Sequence, residues 1–146
     1  MPGQIPLQTR YYPGDFQFTS WTAHEPKHSH YPLFFTDRNL VVDSAAIFLE
    51  DSVNQNINVK LVKVPLFAVP NYGTPVTGQQ DLTSEVAFTT SGTYPMRVET
   101  GVTAGFTVNT AHNMLVAPSG LWILASGHFS GVAGSLHVQV RWRSSF

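Results

Sequence analysis

Residues 24–28 read HEPKH, and His30 follows two positions later, so half of the chain's 6 histidines fall in one short stretch. As a string this is H-E-x-x-H. On a helix that spacing sets two imidazoles one turn apart on a single face, where they hold zinc, and the Glu takes a proton from metal-bound water. The chemistry would be metal-assisted hydrolysis. Pro26 stands against it. Inside a helix proline removes a backbone hydrogen bond and clashes with the preceding turn, at about 3 kcal/mol. If Pro26 instead began a helix, His24 would lie outside it, and Pro32 would stop that helix after about one turn.

His28-Ser29-His30 is a second pattern, H-x-H. On a strand both side chains point to one face and could share a metal, the arrangement that cupins use. It would want a Glu a few residues on and a distant His. The next acid is Asp37, Glu50 is farther still, and His112, His128 and His137 are scattered. Neither pattern therefore assigns a metal ligand. His24, His28 and His30 are read as polar contact or surface residues.

Nothing else assembles a catalytic centre. No G-x-S-x-G elbow accompanies the Ser, His and acid residues. GVAGS (131–135) lacks the lysine of a phosphate loop and reads as a turn. Glu50 and Asp51 are adjacent, so on a strand they point to opposite faces and make no two-carboxylate pair. Arg141 and Arg143 form a small basic face, read as salt-bridging. Trp21, Trp122 and Trp142 could supply the stacking face of a carbohydrate-binding sandwich, but Trp122 and Trp142 read as core. No enzyme activity, cofactor or small-molecule ligand is expected.

The elements that must carry these residues are β-strands. The chain has 146 residues, the size of one domain, with 42% hydrophobic and only 12% charged residues, about half the usual charged share. Its polarity comes from hydroxyl, amide and glycine residues, which suits closely packed β-rich assemblies. Aromatics reach 12%, including 10 Phe, and a disordered chain has few. A net charge of −1 makes no case for nucleic acid or an anionic membrane as partner. With no Cys there are no disulfides and no thiolate chemistry. No signal peptide is visible, and no apolar run has the length of a membrane span.

Residues 1–38 hold five of the 10 prolines (Pro2, Pro6, Pro13, Pro26, Pro32) and are read as an extended arm, with at most one short strand in GDFQFTSW. Residues 39–146 are read as the β-sandwich domain. NLVVDSAAIFLED is one strand, or two broken at Asp43-Ser44. INVKLVKVPL alternates until its phase slips at Val62, which predicts a bulge. GLWILAS is apolar throughout, as a strand buried on both faces would be. LHVQVRWR alternates strictly, so 120–143 is predicted to be a hairpin. No window keeps a helical period. The fold class is all-β, a jelly-roll-like antiparallel β-sandwich with an extended, Pro-rich N-terminal arm.

Two stretches carry a resemblance. NMLVAPSGLWILASGHFSGVAGSLHVQVRWR resembles the closing strands of small structural proteins of tailed bacteriophages. INVKLVKVPLFAV, followed by GTPVT and DLTSEVAF, is similar to their strand with an exposed Lys leading through a Gly/Pro loop. The likeness spans about residues 40–143. It implies a virion component on the capsid surface, a jelly-roll decoration (cement) protein. Such a protein forms a homotrimer and bridges neighbouring major capsid proteins, with no catalytic, cofactor or metal residue. Tail, baseplate and fibre components share the architecture.

Overall fold

The computed structural model describes residues 16–129, 132 and 134–145. The first part of the expected arm, residues 1–15, and part of the GVAGS turn lie outside them. The described chain forms ten strands and no helix: β1 (Phe16–His24), β2 (His30–Thr36), β3 (Leu40–Leu49), β4 (Ile57–Pro65), β5 (Gln80–Asp81), β6 (Val86–Phe88), β7 (Met96–Glu99), β8 (Met114–Leu115), β9 (Ser119–Ala125) and β10 (Ser135–Ser144).

The strands nest. β1 pairs with β10, β2 with β9, β3 with β7 and β8, and β4 with β5 and β6, all antiparallel. The chain is thus a long ribbon folded back on itself and rolled into two sheets. One sheet, sheet A, has the order β1-β10-β3-β7 with β8 also on β3. The other, sheet B, has the order β2-β9-β4-β5 with β6 also on β4. This is the jelly-roll order, two Greek keys sharing one core. Successive strands alternate between the sheets at both ends of the ribbon, so β9 and β10 lie in opposite sheets and do not form the expected hairpin. Each pairs with the strand that mirrors it at the other end of the ribbon.

The strand alternation predicted for β10 buries Leu136, Val138, Val140 and Trp142 in one core with Leu121, Ile123, Leu61 and Phe106. Each such side chain contributes on the order of 2 kcal/mol by leaving water. Asp43 is skipped where β10 passes from Arg141↔Ser44 to Trp142↔Val42, so the break expected at Asp43-Ser44 is a bulge within one strand.

The expected arm differs most. Residues 16–36 are not an arm but strands of both sheets, and the boundary set at 38/39 falls in a three-residue turn between β2 and β3. Scattered prolines hid them. Pro26 lies in the turn between β1 and β2, and Pro32 sits on β2, an edge strand where a missing donor is tolerated.

The bulge expected in β4 is absent: its register with β9 runs unbroken from Val59↔Ala125 to Pro65↔Ser119. The phase slip has another cause. Ile57, Val59 and Leu61 face the core, while Val62 and Val64 face outward with Trp122 and Leu124 into a second apolar cluster. Ala68, Tyr72 and Val76, from the 66–79 loop, pack over it. Lys60 is buried beneath the same loop, with Nζ 3.0 Å from Asp81 and 4.9 Å from the centroid of the Tyr72 ring.

Tyr72 fastens that loop by donating its hydroxyl to the Glu85 carboxylate. Burial first, then the hydrogen bond and negative charge of Glu85, push the phenol up from 10 to about 12. The sign follows: the fold favours the neutral phenol, so this contribution is complete below pH 10 and is lost as pH rises through 12. The unfolding midpoint is expected to fall across that window. Tyr72→Phe should fall less steeply, the remainder reflecting Tyr94, whose phenol burial also raises. Thermal scans at stepped pH check this.

Candidate functional site

The HEPKH stretch forms the turn that carries the chain from sheet A to sheet B. Glu25 turns out of β1 at φ 46°, in the left-handed region, and its N–H donates to the Gly134 carbonyl at 2.8 Å. The backbone N–H groups of Lys27 and His28 both donate to the Tyr31 hydroxyl, at 2.7 and 3.1 Å. Pro26 is buried in this turn, so the zinc-binding helix does not form.

The three histidines go to different places. His24 ends β1 with Nδ1 2.7 Å from the Ser135 hydroxyl. The His28 ring lies 5.6 Å from that of Tyr31. His30 begins β2 in the other sheet, 5.8 Å from the Trp122 ring. Because His28 precedes the strand, H-x-H does not present both imidazoles on one strand face. Among the described residues no three His, Asp or Glu side chains gather as a metal site would need. Replacing all three with Ala is expected to cost about 1 kcal/mol, from the lost His24–Ser135 bond, and to move the melting midpoint by less than about 5 °C. Thermal denaturation with and without a chelator measures it. A large chelator-sensitive loss would restore the metal reading.

The polar chemistry gathers instead on the outer face of sheet A. The pleat and the register set its rows. Thr22, His137, Phe48 and Arg97 form one row; Ser20, Gln139, Ala46 and Glu99 the next; Phe18, Arg141 and Ser44 the third. In the first row the Thr22 hydroxyl is 3.0 Å from His137 Nδ1, and His137 Nε2 is 2.9 Å from Glu50 Oε2. With Nε2–H donating to Glu50, Nδ1 accepts from Thr22, which fixes the ring. The hydrogen bond to His137 holds the Glu50 carboxyl below its usual range. This hydroxyl–imidazole–carboxylate line has the members of a triad but lies exposed. It acts as a clamp on the His137 ring. Arg143 pairs with Asp43 at 3.4 Å, as its salt-bridging reading expects. Arg141 has no ion pair among the described residues; its guanidinium lies 3.6 Å from the centroid of the Phe16 ring.

None of the three Trp residues forms an outward stacking face. Trp142 is buried and its Nε1 donates to Thr19 Oγ1 at 2.9 Å. Trp122 lies in the covered cluster of sheet B. Trp21 packs 5.3 Å from the Tyr31 ring, against the core. Phe18 and Phe48 occupy the outward positions. Sequence spacing carried no sign of this face, because Thr22 and His137 are 115 positions apart.

Two further features are physical rather than chemical. Among the described residues β1 is an edge strand, paired only with β10, and its nine residues FQFTSWTAH hold no Asp, Glu, Lys, Arg or Pro. At one end of the sandwich, where β2 and β4 stop and β9 begins, Phe35, Phe67 and Val116 are more than half exposed, with Met114 on β8 at 41%. Compared with protein-family models, curated proteins and solved structures, the chain matches none.

Proposed function

We propose that the protein is a non-catalytic building block that joins copies of itself through β1 and lays the apolar end of its sandwich on a larger, repeated surface. The edge of β1 carries this reading. Proteins guard sheet edges with charges, proline, bulges or short strands, because an open row of N–H and C=O groups recruits another strand. Here β2 has Pro32 and a register shift after it, while β5, β6, β7 and β8 have two to four residues each. Among the described strands β1 alone is a long, regular, uncharged edge, and its register with β10 is unbroken.

The form that the sequence resemblance favours is a decoration protein on the capsid of a tailed bacteriophage, bridging neighbouring major capsid proteins. The jelly roll supports this by analogy of fold only, since lectins and cupins share it. Low charge and exposed aromatics support a surface that becomes buried. On a particle, many weak contacts act together and hold far more tightly than any one of them.

An antiparallel β1–β1 contact is isologous and closes at two copies. The three-fold arrangement that the resemblance implies needs contact between unlike surfaces. Light scattering on the purified protein separates dimer from trimer. Imaging and copy counting of the native particle test the role: hundreds of copies on the shell are expected. A monomer in solution, or absence from the shell, would overturn it.

A further inference from the structure

The middle row of sheet A's outer face is low. Ser20, Gln139 and Ala46 form a floor, with His137, Phe48 and Arg97 standing along one side and Phe18 and Arg141 along the other. The result is a groove running across the strands, with hollows of about 340 and 170 Å³ that share Ala46, Arg97 and Gln139. The groove's composition indicates what it can hold. The main-chain groups of β10 and β3 are engaged in pairing on both sides, so a ligand here must be recognised by side chains. An extended peptide, which needs main-chain partners, is better served by an edge. The groove offers amide and hydroxyl groups from Gln139, Ser20 and Ser44, aromatic rings at Phe18 and Phe48, two guanidinium groups and, at its β7 end, the Glu99 carboxylate. Arg97 is paired with Glu99 at 3.3 Å. Arg141 is held over the Phe16 ring, and its Nε is buried with no hydrogen-bond partner.

Sugar rings present C–H faces to aromatics and hydroxyls to amides, and a carboxylate suits an unpaired arginine. We propose that this groove binds an acidic oligosaccharide, with ring faces against Phe18 and Phe48 and a carboxylate on Arg141. Phe18 and Ser20 of β1 line the groove through their outer-face side chains, whereas self-association would use the main-chain edge of β1, so the inference does not rest on self-association.

The test is calorimetric titration of the intact protein with a short oligogalacturonate, beside its methyl-esterified form and a glutamate oligomer of similar length. The oligogalacturonate is expected to bind in the micromolar to millimolar range, and the ester and the peptide at least about tenfold more weakly. Arg141→Met should remove the preference for the acidic sugar. Gln139→Ala, at an exposed position, should weaken both sugars at least about threefold while leaving the preference intact. Far-ultraviolet circular dichroism verifies folding of both variants. No binding of the oligogalacturonate, equal binding of the glutamate oligomer, or an unchanged preference in folded Arg141→Met would each overturn the proposal.

Discussion

Ser20→Lys is expected to abolish the proposed β1–β1 self-association without unfolding the protein. An antiparallel β1–β1 contact that keeps the pleat continuous must set residues of equal parity opposite each other. Centred on Ser20, it pairs Ser20 with its own copy, Phe18 with the second copy's Thr22, and Phe16 with the second copy's His24. No pair carries like charges, and the inward row matches Thr19 with Trp21. Lysine at the centre places two ammonium groups directly across the ladder, which destabilises a cross-strand pair, and it supplies the guard that natural edges carry. The Ser20 side chain is exposed on the outer face, so the fold should lose less than about 0.5 kcal/mol. The dissociation constant should rise at least about 100-fold, equivalent to roughly 2.7 kcal/mol. Ser20→Thr, neutral and β-branched, should associate as the unaltered protein does. Sedimentation velocity across a concentration series reads both. A Ser20→Lys protein of undiminished mass would show that the copies meet elsewhere.

The sequence made the strands legible but not their partners. β10 could be read because Leu136, Val138, Val140 and Trp142 share one buried face. β9 could be read because both of its faces are covered, one by the core and one by the 66–79 loop. Pairing is set at long range: β1 finds β10 and β2 finds β9 only when the whole ribbon closes. Local alternation carries no trace of that, which is why consecutive β9 and β10 read as a hairpin. β1 and β2 were hidden for a related reason. An edge strand needs only one buried face, and β1 half-buries small or polar residues, Gln17, Thr19 and Ala23, beside Trp21. Pro26 was decisive and local, so the absence of a zinc helix could be read directly. The polar face of sheet A was illegible because its rows are built from four strands.

The covered cluster of sheet B leads to the second large effect. Asp81→Asn is expected to cost about 3 kcal/mol and to lower the melting midpoint by about 10 °C, whereas Lys60→Met should stay within about 1 kcal/mol of the parent. The two residues form one ion pair, at 3.0 Å, but their surroundings differ. The Lys60 side chain is 10% exposed and that of Asp81 50%. Removing the carboxylate leaves an ammonium shut away from water, facing only the Tyr72 ring and a neutral amide. Removing the ammonium leaves a carboxylate that water can reach, and methionine extends the apolar cluster of Val62, Leu124 and Tyr72. Solvent access, rather than the bond itself, therefore sets the asymmetry. The double variant should resemble Lys60→Met, because once the ammonium is gone the neutral amide that replaces the carboxylate has nothing to strand. Chemical denaturation of the three variants gives the cycle. The 66–79 loop, which Tyr72 holds over Lys60, should loosen first in Asp81→Asn. Limited proteolysis should then cut within 66–79 under conditions that leave the parent and Lys60→Met intact. Equal losses in the two single variants would mean that water reaches Lys60 as readily as it reaches Asp81.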